Sequence, residues 1–181
     1  MTLNAMPGDR QLPLAPLDEK ADHVRGSPAG PLILEYGDYE CPYSRQAFHA
    51  IEQIERQLGG NMRFAFRHFP LTEIHPHALA AAAAAEAAAL EDRFWEMGEL
   101  LFHNQQSLEN DDLRRYAAEL ELDLGRFEEN RAGAGVLARV QRDVDSGRAS
   151  GEIQGTPTLF IDGVVHRGAY DAPGLMEALA R

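Results

Sequence analysis

The chain has 181 residues, 44% of them hydrophobic and 25% charged, which suits one soluble domain with or without an insertion. A formal net charge of −12 argues against nucleic-acid and anionic-membrane partners, because both require clustered Lys and Arg. The single cysteine, Cys41, excludes an internal disulfide framework. No basic start leading into an apolar run marks a secretory signal, so the expectation is a cytoplasmic protein without membrane insertion.

In chain order, residues 1–31 mix prolines, glycines and scattered charges without periodicity, and are expected to form an extended arm. Leu32 to Tyr36 is a short apolar run that predicts a buried strand, with Glu35 as its anomaly, since a lone carboxylate is expensive to bury. After Gly37–Glu40, Pro42 opens a helix striped by Ala47, Phe48, Ile51, Ile54 and Leu58 and ended by Gly59-Gly60. Met62 to Phe69 alternates as a second strand, which completes a βαβ unit. Residues 72–151 are predicted to be helical almost throughout. An alanine-rich helix, expected to be a packed one because of Glu86, Leu79 and Leu90, leads into Phe94, Trp95, Met97 and Leu101. An acidic cap near Glu109 follows, and then a Val136–Val140–Val144 stripe. Thr158 to Ile161 predicts a third strand, Asp162-Gly163 a hairpin turn, Val164 to Arg167 the returning strand and Ala172 to Ala180 a last helix.

Cys41 lies between a strand end and a helix N-terminus. Unpaired backbone N–H groups and the positive helix end there stabilise a thiolate, the species active in disulfide exchange. The alternative is an inert cysteine packed as a small hydrophobe. Pro42 and Tyr43 favour reactivity by placing the sulfur on a first helical turn at the surface. Gly155-Thr156-Pro157 reads alone only as a turn before a strand, with a proline tolerated at the strand's first residue. His75 and His77 flank a proline and lack further ligands at zinc spacing, so a surface or helix-start role is expected, with no metal. His68 is expected in core or rim packing.

The run Glu35-Tyr36-Gly37-Asp38-Tyr39-Glu40-Cys41-Pro42-Tyr43-Ser44 resembles the active-site segment of DsbA-like thiol-disulfide oxidoreductases. Gly155-Thr156-Pro157-Thr158 is similar to that family's cis-proline loop. Arg67-His68-Phe69-Pro70-Leu71, His75-Pro76-His77 and Gly168-Ala169-Tyr170 resemble one branch of it. That branch includes soluble domains attached to bacterial sodium/proton antiporters.

The resemblance implies an α/β, thioredoxin-like fold with an all-helical insertion: a thioredoxin-like domain over 32–71 and 152–181, with the insertion over 72–151. It implies Cys41 as nucleophile, Glu35 as a buried acid managing protons near the thiol, and Pro157 as a cis-proline facing the sulfur. The backbone of Thr156 would pair with an extended substrate, flanked by Pro42 and Tyr43. The departure is Ser44, where the family's CPxC motif has its second cysteine. An internal dithiol cannot form, which leaves monothiol exchange with protein or small-molecule disulfides. Glutathione or another low-molecular-weight thiol would act as co-substrate, with no bound cofactor. Ser44 could donate a hydrogen bond to the thiolate but cannot attack. The alternatives are a non-catalytic binding or regulatory module and a glutathione-dependent transferase or isomerase.

Overall fold

A computed structural model of the chain describes residues 14–180. Within them a five-stranded sheet runs β1 (His23–Gly26), β3 (Arg63–His68), β2 (Leu32–Gly37), β4 (Thr158–Ile161), β5 (Val164–Val165) in spatial order. Only β2 and β3 are parallel, joined by α1 (Pro42–Gln57); every other neighbouring pair is antiparallel. The insertion between β3 and β4 consists of α2 (Ala78–Ala89), α3 (Phe94–His103), α4 (Asn110–Glu119), α5 (Leu124–Ala132) and α6 (Ala134–Ser150), and α7 (Ala172–Leu179) closes the chain. This is the thioredoxin-like α/β architecture with a helical insertion.

The two sheet faces follow from the pleat. Ile33, Phe64 and Phe66 point into the main core with Phe48, Ile51, Phe102 and Leu159. Leu34, Tyr36, Ala65 and Phe160 point to a smaller core on the other face, where Leu14, Leu17 and Val24 of the N-terminal segment pack. The hairpin between β4 and β5 turns through Asp162 and Gly163, both with positive φ (46° and 84°), as an Asp-Gly turn requires. Its returning strand is shorter than expected. Pairing ends at Val165, and although the His166 amide still donates to Leu159, the His166 ring turns to the Ala169 carbonyl.

Two further expectations are corrected. The arm reading of residues 1–31 fails at His23–Gly26, which pairs antiparallel with β3 along its outer edge. The stretch before it is anchored by Arg67, 2% exposed, whose guanidinium forks onto both oxygens of Asp22 (2.9 and 2.7 Å) and donates to the carbonyls of Ala15 and Pro16. Burial pushes the Asp22 carboxyl up, but the Arg67 fork and nearby Arg142 outweigh it and hold it below the usual range. Residues 1–13 of that arm lie outside the described residues.

The second correction concerns α2. Leu79 and Leu90 are 40% and 60% exposed, while Ala81 to Ala85, Ala87 and Ala88 are buried. α2 packs against α3, α4, α5 and α6, and its small side chains let these helices come close to it. Elsewhere the helical pattern holds: Val136, Val140 and Val144 are buried, and the Glu109 amide at the start of α4 donates to Asp112.

Candidate active site

β2 delivers the chain to the centre of the sheet, and the turn Asp38–Glu40 carries it into α1. Cys41 is the N-cap of that helix, in extended conformation (φ −75°, ψ 121°), and Pro42 occupies the first turn, where its missing N–H costs nothing. The Arg45 amide donates to the Cys41 carbonyl, so the helix starts directly behind the sulfur, and its first turn carries no acidic residue. The position matches the sequence expectation, whereas the exposure does not. Cys41 is 3% exposed because the loop before β4 lies over it, and its Sγ is 3.2 Å from the Thr156 carbonyl oxygen. The Thr156–Pro157 peptide bond is cis. Pro42 and Tyr43 remain at the surface, Tyr43 at 65% exposure. Tyr43, Gln154, Thr156, Pro157 and Tyr170 line a groove of about 410 Å³ along the loop that covers the thiol.

Ser44 is fully buried, and its Oγ accepts the Asp38 amide at 3.2 Å. The expected hydroxyl-to-sulfur contact gives way to a bond within the active-site turn. Glu35 is also fully buried, on a strand with neighbours on both sides, so the edge position that would have kept its carboxylate in water does not apply. Neither carboxyl oxygen has a hydrogen-bond partner among the described residues. Burial pushes its pKa up to about 8, against a weaker opposing pull from Arg25.

Several organising residues escaped the sequence reading. Asp38, 1% exposed, accepts the Glu40 amide on one carboxylate oxygen and both the Leu71 amide and His75 Nδ1 on the other. Glu40 accepts the amide of His77, the residue before α2. Gln105, after α3, donates through one amide nitrogen to the carbonyls of Tyr39 and Cys41 at 2.7 and 2.9 Å. The pair His75 and His77 thus belongs to the scaffold that fixes the turn before the thiol. His68 is buried, with its Nε2 2.8 Å from Glu86. These contacts predict that Asp38→Ala strands two half-buried amides and an imidazole. Unfolding free energy should then fall by about 2–4 kcal/mol in denaturant titration. A loss below about 0.5 kcal/mol would mean that water replaces the carboxylate.

A thioredoxin family model matches residues 18–181. The chain belongs to the thioredoxin family. Among curated relatives it is 44% identical over 169 residues to Na(+)/H(+) antiporter NhaA 1 of Mycolicibacterium gilvum, covering 92% of this chain and 27% of that protein. It is 41% identical over 158 residues to Na(+)/H(+) antiporter NhaA of Herminiimonas arsenicoxydans, covering 87% and 25%. The chain therefore spans about a quarter of the length of the curated relatives it matches. Solved structures share the fold. A thioredoxin-like oxidoreductase from Silicibacter pomeroyi superposes with TM-score 0.79 at 23% identity, covering 90% of this chain and 92% of that one. BdbD from Bacillus subtilis gives 0.78 at 24%, covering 90% and 93%. Wolbachia pipientis alpha-DsbA1 gives 0.75 at 21%, covering 92% of both. No described helix is long and apolar enough to cross a membrane.

Proposed function

We propose that the chain is a monothiol thiol-disulfide oxidoreductase or isomerase. The observation that carries this reading is the single cysteine at the N-cap of α1, with its sulfur against the carbonyl that precedes a cis-proline. In the reaction, the Cys41 thiolate attacks one sulfur of a disulfide. A bond forms between Cys41 Sγ and that sulfur, the substrate S–S bond breaks, and the departing thiolate takes up a proton. Ser44 cannot resolve the mixed disulfide. A low-molecular-weight thiol such as glutathione then attacks the substrate sulfur and frees Cys41. The net change is disulfide plus thiol to a new mixed disulfide plus thiol. Pro42, Tyr43, Thr156 and Pro157 receive the substrate in this scheme. Glu35, neutral in much of the physiological range, exchanges protons near the thiol. A reducing compartment such as the cytoplasm would supply the resolving thiol.

The test is incubation with oxidised glutathione followed by mass spectrometry of the intact chain. One glutathione adduct per chain should form and disappear on adding reduced glutathione, and Cys41→Ala should form none. A wild-type chain that stays unmodified while folded, yet reacts once denatured, would instead favour a binding module in which the covering loop keeps the thiol closed.

A further inference from the structure

We propose that His49, Glu52 and His103 form a divalent transition-metal site, with zinc the best match, that clamps α1 to α3. The three side chains offer ligand atoms that all lie within 4.8 Å of one another. Two imidazoles and one carboxylate are a ligand set that zinc accepts, with water completing the tetrahedron.

Three features of the surroundings support this assignment. First, His103 Nδ1 is 2.7 Å from the Glu99 carbonyl oxygen. That bond holds the proton on Nδ1 and leaves the Nε2 lone pair open, the arrangement that orients metal-bound histidines. Second, the spacing of the two rings is set from beneath. Phe48 and Phe102, the chain neighbours of the two histidines, are 2% and 1% exposed and stack at 4.7 Å, and the His49 and His103 rings then lie 5.1 Å apart. A buried aromatic pair makes the ligand spacing a property of the core and not of two mobile surface chains. Third, the site is open to solvent, since His49 is 39% and Glu52 19% exposed at the side chain, so a hydrated ion can enter.

A second group, His23, His68 and Glu86, has similar composition and does not qualify. Glu52 reaches one histidine only, His49 at 3.2 Å, whereas one Glu86 oxygen is 2.8 Å from both Nε2 atoms and the Arg139 guanidinium stands 4.0 Å from that oxygen, in place of a cation. The second group is a closed hydrogen-bonded cluster.

The proposal is independent of the chemistry at Cys41. The test is titration of the full chain with cobalt(II) chloride, read by visible absorption, with zinc(II) chloride as competitor. Binding should saturate at one equivalent, zinc should displace cobalt, and His49→Ala and His103→Ala should each weaken binding at least about tenfold. Both positions are open enough to keep the fold, which circular dichroism in chelator should verify. Zinc should also raise the melting temperature of wild type and not of His103→Ala. Cys41→Ala should bind as wild type does, without a sulfur-to-cobalt charge-transfer band in either. The proposal is overturned if no stoichiometric binding occurs, if binding survives in the double histidine variant, or if a thiolate band appears and is lost in Cys41→Ala.

Discussion

Ser44→Cys should convert the chain into a dithiol protein that closes an internal disulfide with Cys41. Ser44 lies one helical turn after the N-cap, fully buried on the inner side of α1, and the exchange replaces one side-chain atom. The local cost is the Asp38 amide, whose acceptor becomes a weaker sulfur, about 1 kcal/mol. Oxidation should then remove both thiols from a denatured-state thiol count and leave the chain monomeric on a non-reducing gel. Turnover in an insulin-reduction assay should rise about a hundredfold or more. An attacking sulfur held one turn away replaces a bimolecular encounter with glutathione, and such tethering is worth large effective concentrations. A variant that closes the disulfide and stays inactive would point to a binding module whose groove no longer accepts redox substrates. Two thiols that remain free under oxidising conditions would place the Cα atoms beyond the bridging limit of about 7 Å.

Glu35 sets the second large effect, on stability against pH. Its folded pKa of about 8 lies above the ordinary 4.5, so the folded state binds the proton more tightly than the unfolded chain does. Below pH 4.5 both states are protonated and the burial carries no electrostatic penalty. As pH rises from there the unfolded state ionises first, and stability is lost progressively until the folded carboxyl ionises near pH 8. Glu35→Gln removes that titration. The difference in unfolding free energy, variant minus wild type, should be flat below pH 4.5 and climb by up to about 1.4 kcal/mol per unit. It should level off above pH 8, after a total rise on the order of 5 kcal/mol. Using the difference cancels the acid loss from Asp22 and Glu86, whose folded pKa values are depressed in both proteins. A difference independent of pH would mean that Glu35 reaches water.

Much of this architecture is legible in the residues because each of its signals is local. The apolar stripe of α1, the alternation of β3 and the Asp-Gly turn each specify their element within a few positions. The alanine helix marks where that logic stops. Its side chains are nearly identical, so no face is distinguished, and only the helices around it reveal that the alanines are the buried positions. His23–Gly26 contains one apolar residue, and what makes it a strand is the free edge of β3. Within the candidate site, Cys41 and Glu35 could be picked out from their own surroundings, a thiol at a helix start and a carboxylate in an apolar strand, whereas Pro157 stood out only through the resemblance of its loop to the family's. Gln105 and the Asp38–His75 pair carry neither mark. They act across 64 and 37 positions of chain, a distance at which only the folded topology relates two residues. The same holds for His49 and His103, whose common surface exists only once Phe48 has stacked on Phe102.

The edge strand has a practical consequence for where this domain begins. A cut at residue 31, the boundary that composition suggests, would strip β1 from β3 and leave its row of backbone donors and acceptors open, a template for pairing with another copy. The same cut would remove Asp22 and leave the Arg67 guanidinium inside the protein without its counter-ion. A segment that keeps this anchor therefore includes Ala15, the first of the described residues to which Arg67 donates. A stretch that looks like a tether is the part that keeps the sheet from propagating into its neighbours.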